Sequence, residues 1–113
     1  MTLPTLSPDL LKEKASEAAA LLRTLANEHR LMILCRLNGG EASVSALQAE
    51  SGLSQSALSQ HLAILREQGL VATRRESQSV FYRIADESAL RIIAVLADIY
   101  CPELSHDHDP HQD

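Results

Sequence analysis

The stretch SVSALQAESGLSQSALSQHLAILREQGLVATRRESQSVFYRI, residues 43–84, constrains the fold more than any other part of the chain. Ser43 is a suitable N-cap for a short helix running through Ser51, with Val44, Ala46 and Leu47 turned inward. Gly52 supplies a tight turn, and Ser54 opens another helix almost at once. In that helix Leu58, Leu62 and Leu65 recur at steps of four and three, and Gly69 ends it. Two short helices joined by a glycine-containing turn, the second polar on its outer side, form a helix-turn-helix pattern. The periodicity then changes. Val71–Arg75 and Ser79–Ile84 are β-prone runs around the polar turn Glu76-Ser77-Gln78, and Val80, Tyr82 and Ile84 alternate with Phe81 and Arg83. A hairpin placed directly after such a helix pair is a wing.

The flanks are helical. Residues 1–8 are a short Pro-containing arm. From Asp9 a helix begins whose Leu11, Ala15, Ala18, Leu22 and Leu25 form one stripe. Either the domain's own core or a partner's helix could cover that stripe. Asn27 can cap a second helix to Leu37, with Leu31, Leu34 and Leu37 on one side, and Asn38-Gly39-Gly40 stops it. Asp86 caps a last helix from Glu87 to Tyr100. Its Leu90, Ile92, Ile93, Leu96, Ala97, Ile99 and Tyr100 cover most of the circumference, so it calls for burial on two sides. In a chain of 113 residues, one of those sides suits a second copy of the protein. The expected architecture is a single, mainly α domain with a small β-hairpin: four helices, two strands and a fifth helix, a winged helix-turn-helix over residues 9–101. Residues 102–113 lack an apolar period and read as a solvated acidic tail.

Charge and cysteine content narrow the function. The formal net charge of −5 argues against a nonspecific nucleic-acid coat or an anionic-membrane binder. Its distribution matters more. The tail holds Glu103, Asp107, Asp109 and Asp113 and no Lys or Arg, whereas residues 54–84 hold Arg66, Arg74, Arg75 and Arg83 against Glu67 and Glu76, a local +2. No apolar run approaches the roughly 20 residues a bilayer span needs. The N-terminus lacks the order of a signal peptide, so the cytoplasm is the expected location and no membrane partner is expected. Two cysteines are too few for a secreted disulfide scaffold.

The outward side of the second motif helix carries Gln55, Ser56, Ser59 and Gln60. Gln offers a donor–acceptor pair suited to adenine, and Ser can serve several base edges. The same residues would also suit a solvated face. Arg74 and Arg75 on the wing, with Arg66, sit where a hairpin meets phosphates, which favours DNA. The order of elements, with LANEHRLMILCRL leading into SQSALSQHLAILREQGLV and RRESQSVFYRI, resembles the ArsR/SmtB family of bacterial winged-helix repressors over residues 10–101. The resemblance implies a homodimer, built largely from the first and last helices, bound to an inverted repeat in operator DNA. His61 matches a histidine common in the motif, implying a role in orienting the recognition helix or touching phosphate.

Many members of that family sense metals. One of their sites uses two cysteines at positions that correspond here to Ser43 and Ser45, and neutral hydroxyls are poor ligands for soft ions. Another site is matched only by Asp86, with Ser88, Ile99 and Pro102 at its remaining positions. The tail histidines His106, His108 and His111 are weak metal candidates at best, and no cofactor is expected. Cys35 on the second helix and Cys101 at the end of the last are placed as in the persulfide-sensing BigR/SqrR branch, where a chain of sulfur atoms links the two thiols and operator affinity falls. A thiolate is the nucleophile that attacks sulfane sulfur; the competing reading makes Cys35 a small core residue. The expectation is therefore a repressor, not an enzyme, that binds DNA when reduced and releases it on reaction with a persulfide or polysulfide. A metal- or peroxide-responsive regulator, or an antirepressor or activator, are the alternatives.

Overall fold

A computed structural model describes residues 7–102. The chain forms α1 (Pro8–Leu25), α2 (Glu28–Asn38), β1 (Ala42–Ser43), α3 (Val44–Ser51), α4 (Gln55–Glu67), β2 (Val71–Glu76), β3 (Ser79–Ile84) and α5 (Glu87–Tyr100). Every helix starts on a polar cap. Ser7, Asn27, Ser43, Ser54 and Asp86 each accept backbone N–H bonds from the first helical turn. Each such cap contributes about 1 kcal/mol. The first helix begins one residue earlier than its apolar period suggests. Ser7 is the cap, and Pro8 occupies the first helical position, where a missing N–H costs nothing.

The hairpin is part of a three-stranded antiparallel sheet in the order β1-β3-β2. The sequence leads to only two strands. Ala42 and Ser43 are too few and too weakly β-prone to show a period, yet they pair with Tyr82 and Phe81 along the other edge of β3. That pairing satisfies backbone groups that would otherwise stay open on a sheet edge. Ser43 serves twice, as a strand residue and as the cap of α3, its Oγ accepting from the Ala46 N–H at 3.0 Å.

Leu34, Leu47, Leu58, Leu65 and Ile93 form the fully buried centre. Burying a side chain of this size stabilises the fold by about 1.5–3 kcal/mol. They come from α2, α3, α4 and α5, and α2 touches all of its helical neighbours as well as β3. The α1 stripe takes little part in this core. Leu11 is 55 % and Leu22 56 % exposed, Ala15 and Ala18 are exposed, and of the stripe only Leu25 is buried. The end of α1 is tied down instead by Arg30, whose Nε donates to the Thr24 carbonyl at 2.7 Å. On α5, Ala89 and Ile93 are buried, whereas Leu90, Val95, Ile99 (60 %) and Tyr100 (77 %) are exposed. The monomer therefore leaves apolar faces of α1 and α5 uncovered. Among the described residues, no helix is long and apolar enough to cross a membrane.

Candidate DNA-binding face and thiol pair

The turn between α3 and α4 is held from both ends. Gly52 adopts the left-handed conformation, φ 72°, which a side chain would strain. The Leu53 N–H donates to Ser51 Oγ at 3.1 Å, the Gln48 side-chain amide donates to the Leu53 carbonyl, and Ser51 Oγ donates to the Gln48 carbonyl at 3.3 Å. Gln48 escapes a periodicity reading because it looks like one more polar position on a short helix. Its signal is the proximity of a side-chain amide to a glycine turn with unpaired backbone groups.

Along α4 each residue advances about 100°. Leu58, Leu62 and Leu65 fall on the inner side and are buried. The arc running from Gln55 and Arg66, beside Leu62, through Ser59 and Ser56 to Gln60 faces away from that packing, and all five are exposed. That arc joins amide, hydroxyl and guanidinium groups on one rigid surface. His61 lies on the inner side. It is half-buried, its ring centroid is 5.5 Å from that of His29 on α2, and its Nδ1 is enclosed with no hydrogen-bond partner among the described residues. Burial, then the nearby Arg30 and His29, pushes its pKa below the ordinary histidine value. This placement fits the orienting role expected of His61 better than a phosphate contact.

The wing separates the two arginines. Arg74 pairs across the ladder with Phe81 and Arg75 with Val80, so successive side chains point to opposite faces of the sheet. Arg74 is engaged with Glu41, which lies just before β1. Its Nε donates to the two carboxylate oxygens at 3.0 and 2.9 Å, and Nη2 donates to Oε1 at 2.8 Å. Glu76 Oε2 is 3.6 Å from Nη1, and the guanidinium lies 4.6 Å from the centroid of Phe81. The Arg74 hydrogen bonds hold the Glu41 carboxyl below the usual carboxylate range, and Glu41 in turn raises the guanidinium. Arg75 and Arg66 are exposed and enter no ion pair among the described residues. Glu41 was out of reach of a charge count over residues 54–84, because only the β1–β3 pairing brings it to the wing.

Cys35 is exposed on α2, while Ile33, Leu34 and Leu37 of the same helix are buried. It is therefore not a core residue. Cys101 is half-buried at the C-cap of α5, its N–H donating to the Ala97 carbonyl at 2.7 Å, and both thiols are free. Packing of α2 on α5 brings the two sulfurs into each other's field: desolvation first, and then the Cys101 charge, raises the Cys35 thiol pKa. Of the residues weighed as metal ligands, Ser43 is committed to capping α3 and Asp86 to capping α5, the latter accepting from Ser88 and Ala89 at 2.7 and 3.3 Å. His106, His108 and His111 lie outside the described residues.

Comparison with known proteins agrees with this architecture. Residues 27–73 match the model of the bacterial regulatory protein, arsR family. The chain is 47 % identical over 91 residues to the biofilm growth-associated repressor of Agrobacterium fabrum, covering 80 % of this chain and 78 % of that protein. It is equally 47 % identical over 91 residues to the transcriptional activator HlyU of Vibrio cholerae, covering 80 % and 84 %. The solved structure of the transcriptional repressor BigR from Xylella fastidiosa superposes with a TM-score of 0.75 at 40 % identity, over 85 % of this chain and 98 % of that one. These relatives are named as a repressor, a transcriptional activator and a transcriptional repressor, and the BigR structure shares the fold described above.

Proposed function

The chain belongs to the arsR family of bacterial regulatory proteins, and we propose that within it the chain is a cytoplasmic, dimeric, dithiol-based repressor. It binds an inverted-repeat operator when reduced and lets go when reactive sulfur links Cys35 to Cys101. The observation that carries the reading is that α2, with the free and exposed Cys35, packs on α5, which ends at the free thiol of Cys101. Similarity to two proteins named as repressors supports the sign of regulation.

Gln55, Ser56, Ser59 and Gln60 read base edges in the major groove, and Arg66 and Arg75 contact phosphates. His61 positions α4 from behind. The second copy packs on the uncovered apolar faces of α1 and α5, which sets the spacing of the two recognition helices. Half-sites lie about 34–36 Å apart, so a small rotation of the subunits is felt as lost affinity.

The sulfur chemistry balances without an external oxidant. A cysteine thiolate attacks the sulfane sulfur of a persulfide, breaking its S–S bond; the cysteine becomes a persulfide and a thiolate leaves. When both cysteines carry this modification, one persulfide attacks the other. A trisulfide forms, and hydrogen sulfide departs. The raised pKa of Cys35 keeps it largely protonated at neutral pH, so the reaction accelerates as pH rises. The bridge ties α2 to α5, which also carries the proposed dimer face.

The test is DNA binding by the reduced protein to a duplex selected from a random-sequence pool, before and after addition of polysulfide, with mass spectrometry of the cysteine peptides. Release of DNA together with a sulfur-bridged Cys35–Cys101 species is expected. Cys35→Ser should keep DNA binding and lose the response; a response that survives this substitution removes the thiol mechanism. The similarity to HlyU supports a second reading, in which the same DNA binding activates a promoter by displacing another protein. Reporter expression in a strain lacking the gene separates the two: it rises for a repressor and falls for an activator.

A further inference from the structure

The Arg74–Glu41 pair has the geometry of a phosphate contact that is already filled. An arginine edge grips a phosphate through parallel N–H donors, and that is how Nε and Nη2 of Arg74 hold the Glu41 carboxylate, at 2.8–3.0 Å. Nη1 faces Glu76, and one face of the guanidinium covers Phe81. Arg74 is still 47 % exposed and Glu41 30 % exposed, so DNA can reach them. A phosphate arriving there meets two carboxylates about one arginine and must displace one of them. Arg83 also acts on Glu41, but no ion pair joins them.

We propose that Glu41 is an intramolecular substitute for DNA phosphate, which keeps Arg74 out of the DNA interface and lowers the affinity of the chain for duplex DNA. This rests on the DNA-binding reading above and adds a determinant of its strength. Arg75, on the other face of the wing and without an acidic partner among the described residues, is left to make the wing's phosphate contact. Glu41 thus limits total affinity, and the carboxylate itself is the tunable part.

Salt dependence tests this directly, because each phosphate contact adds about 0.9 to the slope of log affinity against log salt. The unaltered chain, Glu41→Gln, Arg74→Ala and the double variant are titrated with the same pool-selected duplex at several salt concentrations. Glu41→Gln is expected to bind more tightly and to steepen the slope by about one contact, so that its advantage shrinks roughly three- to fourfold between 50 and 200 mM salt. Arg74→Ala alone should keep the parent's slope. In the double variant the gain should vanish, since there is no arginine left to release. A gain of full size in the double variant would mean that removing any negative charge suffices, and it would overturn the proposal. So would a one-contact loss in Arg74→Ala alone, or an unchanged slope in Glu41→Gln. Failure of the unaltered chain to bind any duplex would remove the DNA-binding reading and this one with it. The other adverse outcomes remove only the role of Glu41.

Discussion

At the scale of single residues, position relative to the core decides what each polar group can do. His61 is the clearest case. Its Nδ1 is enclosed and has no partner among the described residues, and its pKa is depressed by burial, Arg30 and His29. Folding therefore favours the neutral ring. The stabilisation it leaves intact is complete above the ordinary histidine value of 6.5 and is lost as pH falls through the lower folded value. Thermal unfolding followed by circular dichroism should show the midpoint dropping over that interval, and His61→Leu should flatten the drop. An equally steep drop in the variant would assign the pH dependence elsewhere. Ser77, at the tip of the wing, is a non-glycine residue with φ 56°. Ser77→Gly relieves that conformation and should stabilise the chain by about 0.5–1 kcal/mol, measured by urea unfolding.

At the scale of elements, nearly all boundaries were legible because they rest on local chemistry. Asn27, Ser43, Ser54 and Asp86 are caps whose partners lie two or three residues away, and the Leu58–Leu62–Leu65 stripe reports its own buried side. Substituting Ser54 by Ala removes the bond from the Ala57 N–H at 3.1 Å. It should cost about 1 kcal/mol in the same unfolding assay and fray the end of α4 that carries Gln55 and Ser56. Beyond that, Gln48→Ala should weaken DNA binding more than it lowers stability, because it frees the turn that aims α4. Equal losses in both would make Gln48 a purely structural residue. The β1 strand was not legible. Two residues carry no period, and its existence depends on β3 being in place to receive it.

At the scale of the whole molecule, the uncovered faces dominate. The apolar stripe of α1 left two readings open, own core or partner, and the exposure of Leu11 and Leu22 excludes the first for those residues. Placing Asp at Ile99 puts a charge in the middle of the proposed dimer face while leaving the monomer core untouched, since Ile99 is 60 % exposed. The variant should sediment as a folded monomer and lose operator affinity; an intact dimer would place the interface elsewhere. ArsR-family regulators bind DNA and usually act as dimers, and in the proposed thiol mechanism this face is the route from α5 to the recognition helices.

The sequence by itself determined the order of the helices, the glycine turn between α3 and α4, the hairpin and the polar arc of α4. Each of these follows from rules that act within a few residues: capping, side-chain period and backbone freedom. Tertiary structure alone decided three things: which apolar stripe stays uncovered, that Cys35 is exposed on a helix packed against α5, and that Arg74 is committed to Glu41 while Arg75 is not. Those outcomes depend on which distant segments meet. Composition and period carry no record of such meetings, because burial and pairing energies exist only once the core has brought the segments together.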